Sequence, residues 1–170
     1  ISAAMLRDLG CQFVIVGHSE RRTDHGEMDQ EVKAKAEAAQ ASDLTAIICI
    51  GETEHQRDDG KTFDVVKTQL TGSLPNASDS SNTVIAYEPV WAIGTRLNAV
   101  PEQIMEAHSA IRGMLTEKLE DGANSARILY GGSVNADNCE ELIEVDDVDG
   151  FLVGGASLEV EQFERIIRSA

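Results

Sequence analysis

The chain holds 170 residues, 42% of them hydrophobic, and its acids outnumber its bases 30 to 14 for a net charge of −16. That length and apolar content suit one folded domain over residues 1–170 and argue against disorder. The charge disfavours nucleic acid and anionic membrane as partners, and no stretch approaches the roughly 20 apolar residues of a membrane span.

The chain begins with Ile1 rather than Met, as a processed product or a fragment would. Its first residues include Arg7 and Asp8 and no long apolar region, so no signal peptide is expected. Cys11, Cys49 and Cys139 are odd in number, far apart and in no CxxC pattern. They point to a reducing, cytoplasmic setting with neither disulfides nor a metal site.

In chain order the pattern predicts a helix over 2–9, a strand at 13–17 (FVIVG), a helix over 29–40 and a strand at 45–51 (TAIICIG). A helix over 62–70, a polar loop from Gly72 to Asn82 and a strand at 83–88 (TVIAYE) follow. The clearest helix spans 102–120, with Ile104, His108, Ile111, Leu115 and Leu119 on one face. Pro101 suits its first turn. Val100 is a poor cap, so Asn98 is expected to serve that end. Strands at 126–131 and 150–154 alternate with helices over 136–144 and 159–169. The apolar runs are continuous rather than alternating, as in parallel strands covered on both faces. The sum is an α(βα)5 chain with right-handed crossovers.

Five stretches follow strand C-terminal ends: GHSERR (17–22), CIGE (49–52), YEPVWAIGTR (87–96), YGGSV (130–134) and VGGAS (153–157). In parallel α/β folds that edge binds ligands. Glu88 is followed by Pro89, Val90, Trp91, Ala92 and Ile93. A lone strand-end acid is usually solvated, but apolar neighbours on this scale would shield it from water. Against a field that repels anions, an anion site has to be built from backbone N–H groups and helix ends. Gly132, Ser133, Gly154 and Gly155 offer such amides, and a short helix starting near Ala156 would add its positive end. Gly131-Gly132 alone could be a tight turn.

These motifs resemble one family, triosephosphate isomerase. GHSERR, CIGE, AYEPVWAIGT, ILYGGSV and LVGGAS stand in its order and near its spacing. SAAMLRDLG and PEQIMEAHSAIR look like its connecting segments, so the likeness covers essentially the whole chain. The resemblance implies a partial (β/α)8 barrel of five parallel strands with helices, open or closed only by oligomerisation. It implies interconversion of dihydroxyacetone phosphate and glyceraldehyde 3-phosphate, without metal or organic cofactor. The family is itself a standard example of pKa tuning and of lid closure. By motif match Glu88 is the general base and His18 the neutral electrophile. Pro89, Val90, Trp91, Ala92, Ile93, Gly94 and Thr95 form the lid, and Gly94 closes over the phosphate held by Gly132, Ser133, Gly154 and Gly155. Ser19 either holds the resting base by a hydrogen bond or caps a helix. Cys49 is expected to pack beside the site. Arg21, Arg22 and Glu52 look like a structural ion network, His25 and His55 like loop residues.

The match runs from the family's fourth strand to its eighth. The first-strand segment with its lysine and nearby Asn has no counterpart, and neither has the loop through which the family dimerises. Lys33, Lys35, Lys61, Lys67 and Lys118 all fall in helices or loops. Glu20, which pairs with that lysine in the family, is expected to be unpaired. Losing one charge-stabilising donor costs roughly 10²–10³ in rate, so this chain alone is expected to isomerise very poorly or not at all. Its sheet edges, at 13–17 and 151–154, are expected to drive self-association. Arg96-Leu97-Asn98 departs from the family's usual trailing hinge, and Thr23-Asp24-His25 replaces a more apolar run. A silent self-associating module is the competing reading. A different phosphate-binding barrel enzyme is opposed by Glu-Pro-Val-Trp.

Overall fold

The computed structural model describes residues 1–94, 98–119 and 122–170. Helix α1 (Ala3–Asp8) leads to strand β1 (Phe13–Val16), then α2 (Ser19–His25), α3 (Asp29–Gln40), β2 (Thr45–Ile50), α4 (Glu54–Asp58), α5 (Thr62–Ser73) and β3 (Thr83–Tyr87). After a 3₁₀ turn at Val90–Ala92 come α6 (Pro101–Lys118), β4 (Ile128–Tyr130), α7 (Cys139–Ile143), a second turn at Gly155–Leu158 and α8 (Val160–Ser169). The four strands are parallel in the order β1-β2-β3-β4, with Ile15 opposite Ile47, Ile48 opposite Ile85 and Ile85 opposite Ile128.

Helices cover one face of the sheet, not both as the continuous apolar runs led one to expect. Val32, Ala36 and Ala39 of α3 and Val66 and Leu70 of α5 join Ala46, Ile48 and Ile50 of β2 in one buried cluster. Ile104, Ala107, Ile111 and Leu115 of α6 join the same cluster beside Ile85, Tyr87, Ile128 and Tyr130. The opposite, concave face is half open: Phe13 and Ile15 of β1 are exposed, with the Arg127 guanidinium 5.6 Å from the Phe13 ring centre.

The sequence-predicted elements need five adjustments. The last strand is reduced to one parallel bridge, Tyr130 with Phe151. Tyr130 N–H donates to Gly150 O and Leu152 N–H to Tyr130 O, both at 3.0 Å. One residue earlier the Asp149 carboxylate accepts from Ile128 N–H, where a longer ladder would continue. Helix α5 runs on through Gly72 to Ser73, and glycine there admits Asp29 of α3, which a Cβ would meet at 2.7 Å. Helix α7 starts late, since Asn135 and Asn138 bond each other's local backbone first. At α6 the Val100 N–H is taken by the Gln103 side chain rather than by Asn98. Helices α2 and α4 carry His25 and His55, which the sequence placed in loops.

His108 is the most demanding buried group of α6. It is fully enclosed, its Nδ1–H donates to Asp147 O at 2.9 Å, and its ring stands edge-on to Tyr87 at 5.8 Å. Among the described residues its Nε2 has no partner. Burial pushes its pKa down to about 4, against the opposing pull of Asp147 and Asp149. An unfolded chain takes up that proton near pH 6.5, so stability is intact above that point and is lost as pH falls towards the folded value. The loss amounts to roughly 3 kcal/mol. Urea unfolding at pH 7 and pH 4 is expected to show it in the wild type and to show a smaller loss in His108→Leu.

Candidate active site

The site begins where β1 ends. Gly17 has φ +69°, and its missing Cβ would meet Val32 at 2.7 Å, so only glycine turns the chain this tightly. The turn delivers His18 to the N-cap of α2, where Nδ1 accepts from Glu20 N–H at 3.3 Å. With Nδ1 an acceptor, the ring proton sits on Nε2. Nε2 then donates to Glu88 Oε1 at 2.9 Å.

Glu88 follows β3 and is 2% exposed. Its second oxygen accepts from the backbone N–H of Ser19 at 3.1 Å. Ser19 thus holds the carboxylate, as one of its two sequence readings has it, but through main chain, while the cap is His18. The Cys49 thiol lies beside the carboxylate, and burial, then the Glu88 charge, push that thiol well up. Burial raises the pKa of Glu88 above the usual carboxylate range, while His18, Ser19 and Cys49 pull it back. The geometry is that of a desolvated carboxylate held by two donors, His18 Nε2 and Ser19 N–H.

His18 and Glu88 open into a cleft of about 820 Å³ whose other wall contains Gly132, Ser133, Gly154 and Gly155. Glu20, exposed, lines it too. Gly154 and Gly155 have nothing within 4 Å of where a Cβ would sit, so their amides are approachable. The turn Gly155–Leu158 supplies the short helix start expected near Ala156, though of 3₁₀ type. Gly94, at φ +63°, and half-buried Ile93 overhang the same cleft. Thr95, Arg96 and Leu97 lie outside the described residues. Among the described residues no cluster of three or more His, Cys, Asp or Glu side chains is placed to hold a metal ion.

A family model for triosephosphate isomerase matches residues 1–170. The chain belongs to the triosephosphate isomerase family. It is 51% identical over 170 residues to triosephosphate isomerase of Endomicrobium trichonymphae, covering 99% of this chain and 68% of that protein. Against the enzyme of Chelativorans sp. (strain BNC1) identity is 54% over 163 residues, covering 96% and 64%. The crystal structure of triosephosphate isomerase from Bartonella henselae superposes with a TM-score of 0.93 at 43% identity, covering 99% of this chain and 69% of that one. The chain thus spans about two thirds of the length of the isomerases it matches.

In this isomerase-family chain the segment after Glu88 has an anchor that sequence reading mistook. Arg21, Arg22 and Glu52 were expected to form one ion network; they form three separate sets. Arg21 and Lys35 pair with buried Glu27. Arg22 joins Asp29 at 2.6 Å and the carbonyls of Gly17 and Cys49. Glu52, with no exposure, accepts from Trp91 Nε1 at 3.0 Å, Tyr87 hydroxyl at 3.1 Å and Arg57 at 3.2 Å. The Arg57 guanidinium also stacks over the Trp91 ring at 4.8 Å. Arg57 had no motif to mark it; only the fold brings it to Trp91. On the far side, the Ser133 hydroxyl donates to Ala92 O at 2.5 Å.

Trp91 is the one tryptophan of the chain, so its fluorescence reports on this segment alone. Glu52→Gln leaves buried donors short of an acceptor, which costs roughly 1–3 kcal/mol. The variant is expected to show red-shifted emission and stronger acrylamide quenching; unchanged spectra would refute the anchor.

Proposed function

We propose that this chain carries the proton-transfer half of a triosephosphate isomerase site. Glu88 removes a proton from C1 of dihydroxyacetone phosphate while His18 Nε2–H donates to the C2 carbonyl oxygen. Glu88 then returns a proton to C2 while the C1 hydroxyl gives its proton back to His18 Nε2, so the C2 oxygen keeps the proton it received and C1 becomes the aldehyde of glyceraldehyde 3-phosphate. Atoms and electrons balance within the substrate, so the reaction calls for no redox partner. The amides of Gly132, Ser133, Gly154 and Gly155 receive the phosphate, and the segment from Pro89 through Gly94 to Thr95 closes over it. The observation that carries this reading is the 2.9 Å bond between His18 and a buried Glu88 at the mouth of a glycine-lined cleft.

Two features limit the chain on its own. Among the described residues lining the cleft there is neither lysine nor arginine, so His18 alone answers the enediolate charge. Turnover is expected to lie roughly 10²–10³ below that of a site with a further cationic donor. Glu88 must be ionised to act, so the rate is expected to fall as pH drops through a value above the ordinary glutamate range of about 4.3. A coupled isomerase assay tests both points. Activity should rise when a polypeptide bearing a relative's first three βα units is added, and Glu88→Gln should remove it. A chain as fast alone as with its complement would overturn the argument.

The same reading places the protein in the cytoplasm, within central sugar metabolism. We also infer self-association, supported by the exposed Phe13 and Ile15 at the β1 edge and by Val160 and Ile167 on α8. Light scattering after size exclusion should give a mass above that of one chain; a monomer would refute it.

A further inference from the structure

Strand β2 meets an unusual demand just past its end. Its neighbour β1 turns away at Gly17 to carry His18, so the β2 main chain loses its partner on that side. Arg22 takes the carbonyl of Cys49 at 3.1 Å. The next peptide groups left without a strand partner on that side belong to Gly51, and one side chain takes both. Gly51 N–H donates to Gln69 Oε1 at 2.8 Å, and Gln69 Nε2 donates back to Gly51 O at 3.2 Å. A carboxamide on α5 thus reproduces the two-bond pattern of a neighbouring strand.

Gly51 is where β2 touches the base. A Cβ there would fall 1.7 Å from the carbonyl oxygen of Glu88 and 3.2 Å from its Cα. Bonds on either side continue the β2–β3 ladder past both strands: Glu88 N–H to Ile50 O at 2.8 Å and Val90 N–H to Glu52 O at 3.0 Å. The Glu88 main chain therefore rests on a backbone segment whose outer side is closed by Gln69. A separate cavity of about 210 Å³ is lined by Gln69, Gly51, Cys49 and Glu88, and Gln69 does not reach the glycine-lined cleft.

We propose that Gln69 is a positioning residue for the base: by clamping Gly51 it sets where the Glu88 carboxylate stands. The proposal rests on Glu88 being the isomerase base. It acts through main chain, touches no substrate, and should therefore govern proton transfer rather than phosphate binding.

The test compares Gln69→Leu with Gln40→Leu. Gln40 makes three bonds, to Ser78, Asn82 and Thr83, at the opposite end of the sheet, so its loss is a stability control. Isomerase kinetics are read on each chain mixed with the first-three-unit polypeptide. The Glu88 carboxyl titration is followed by NMR on glutamate labelled with carbon-13. Gln69→Leu is expected to lower kcat roughly 10- to 100-fold with KM nearly unchanged, and to move the Glu88 titration. Gln40→Leu should lower the melting temperature and do neither. Gln69→Glu retains the acceptor for Gly51 N–H and should keep more of kcat; it carries both readouts if the leucine variant does not fold. Gln69 variants that match Gln40→Leu in both readouts overturn the proposal. If the wild type shows no turnover, the isomerase reading fails, and the carboxyl titration alone decides whether Gln69 positions Glu88.

Discussion

One buried carboxylate organises this fold. An ionised acid removed from water is costly unless hydrogen-bonded from its surroundings. Glu88 meets that condition only because three strands end at the same level. β1 leads into His18 and Ser19, β2 contributes Cys49, and β3 delivers the acid itself. The main chain keeps this level, with Glu88 N–H on Ile50 O and Gly131 N–H on Tyr87 O, both at 2.8 Å. A slip of one residue in any pairing would turn a donor towards the helices and leave the carboxylate unanswered. Register and site are therefore one constraint.

Much of this was legible in the sequence, for physical reasons that differ by element. Continuous apolar runs marked β1, β2 and β3 to within a residue at either end, and α3 lies where its pattern placed it. Burial of Ile104, His108, Ile111, Leu115 and Leu119 bears out the α6 face. Helices α2 and α4 were missed because short polar helices have no apolar period to read; they form from caps, His18 at one and Thr53 at the other. The final strand shrank because a side chain, Asp149, occupies the hydrogen bond that lengthening would need. His18 and Glu88 come together as their motifs implied. Glu52 was misjudged because its partners, Tyr87, Trp91 and Arg57, are assembled only by tertiary folding.

The charge balance explains where cations are absent. With 14 basic residues against 30 acidic ones, the better-buried arginines are held by internal acceptors. Arg22 serves Asp29, Gly17 and Cys49. Arg112 serves Asp147, Asp149 and the carbonyls of Ala123 and Ala126. Neither faces the cleft. What remains for an anion is the main chain: amides without Cβ cover and a short turn presenting its positive end.

The bond from Ser133 to the Ala92 carbonyl carries a further implication. A hydroxyl has a single hydrogen to give. If that hydrogen turns towards an acceptor in the cleft, the Ala92 carbonyl is released at the same instant. On the proposed reading, an anion in the cleft and the Ala92 carbonyl are then rival claimants to one proton, so occupancy would unlatch the segment it holds.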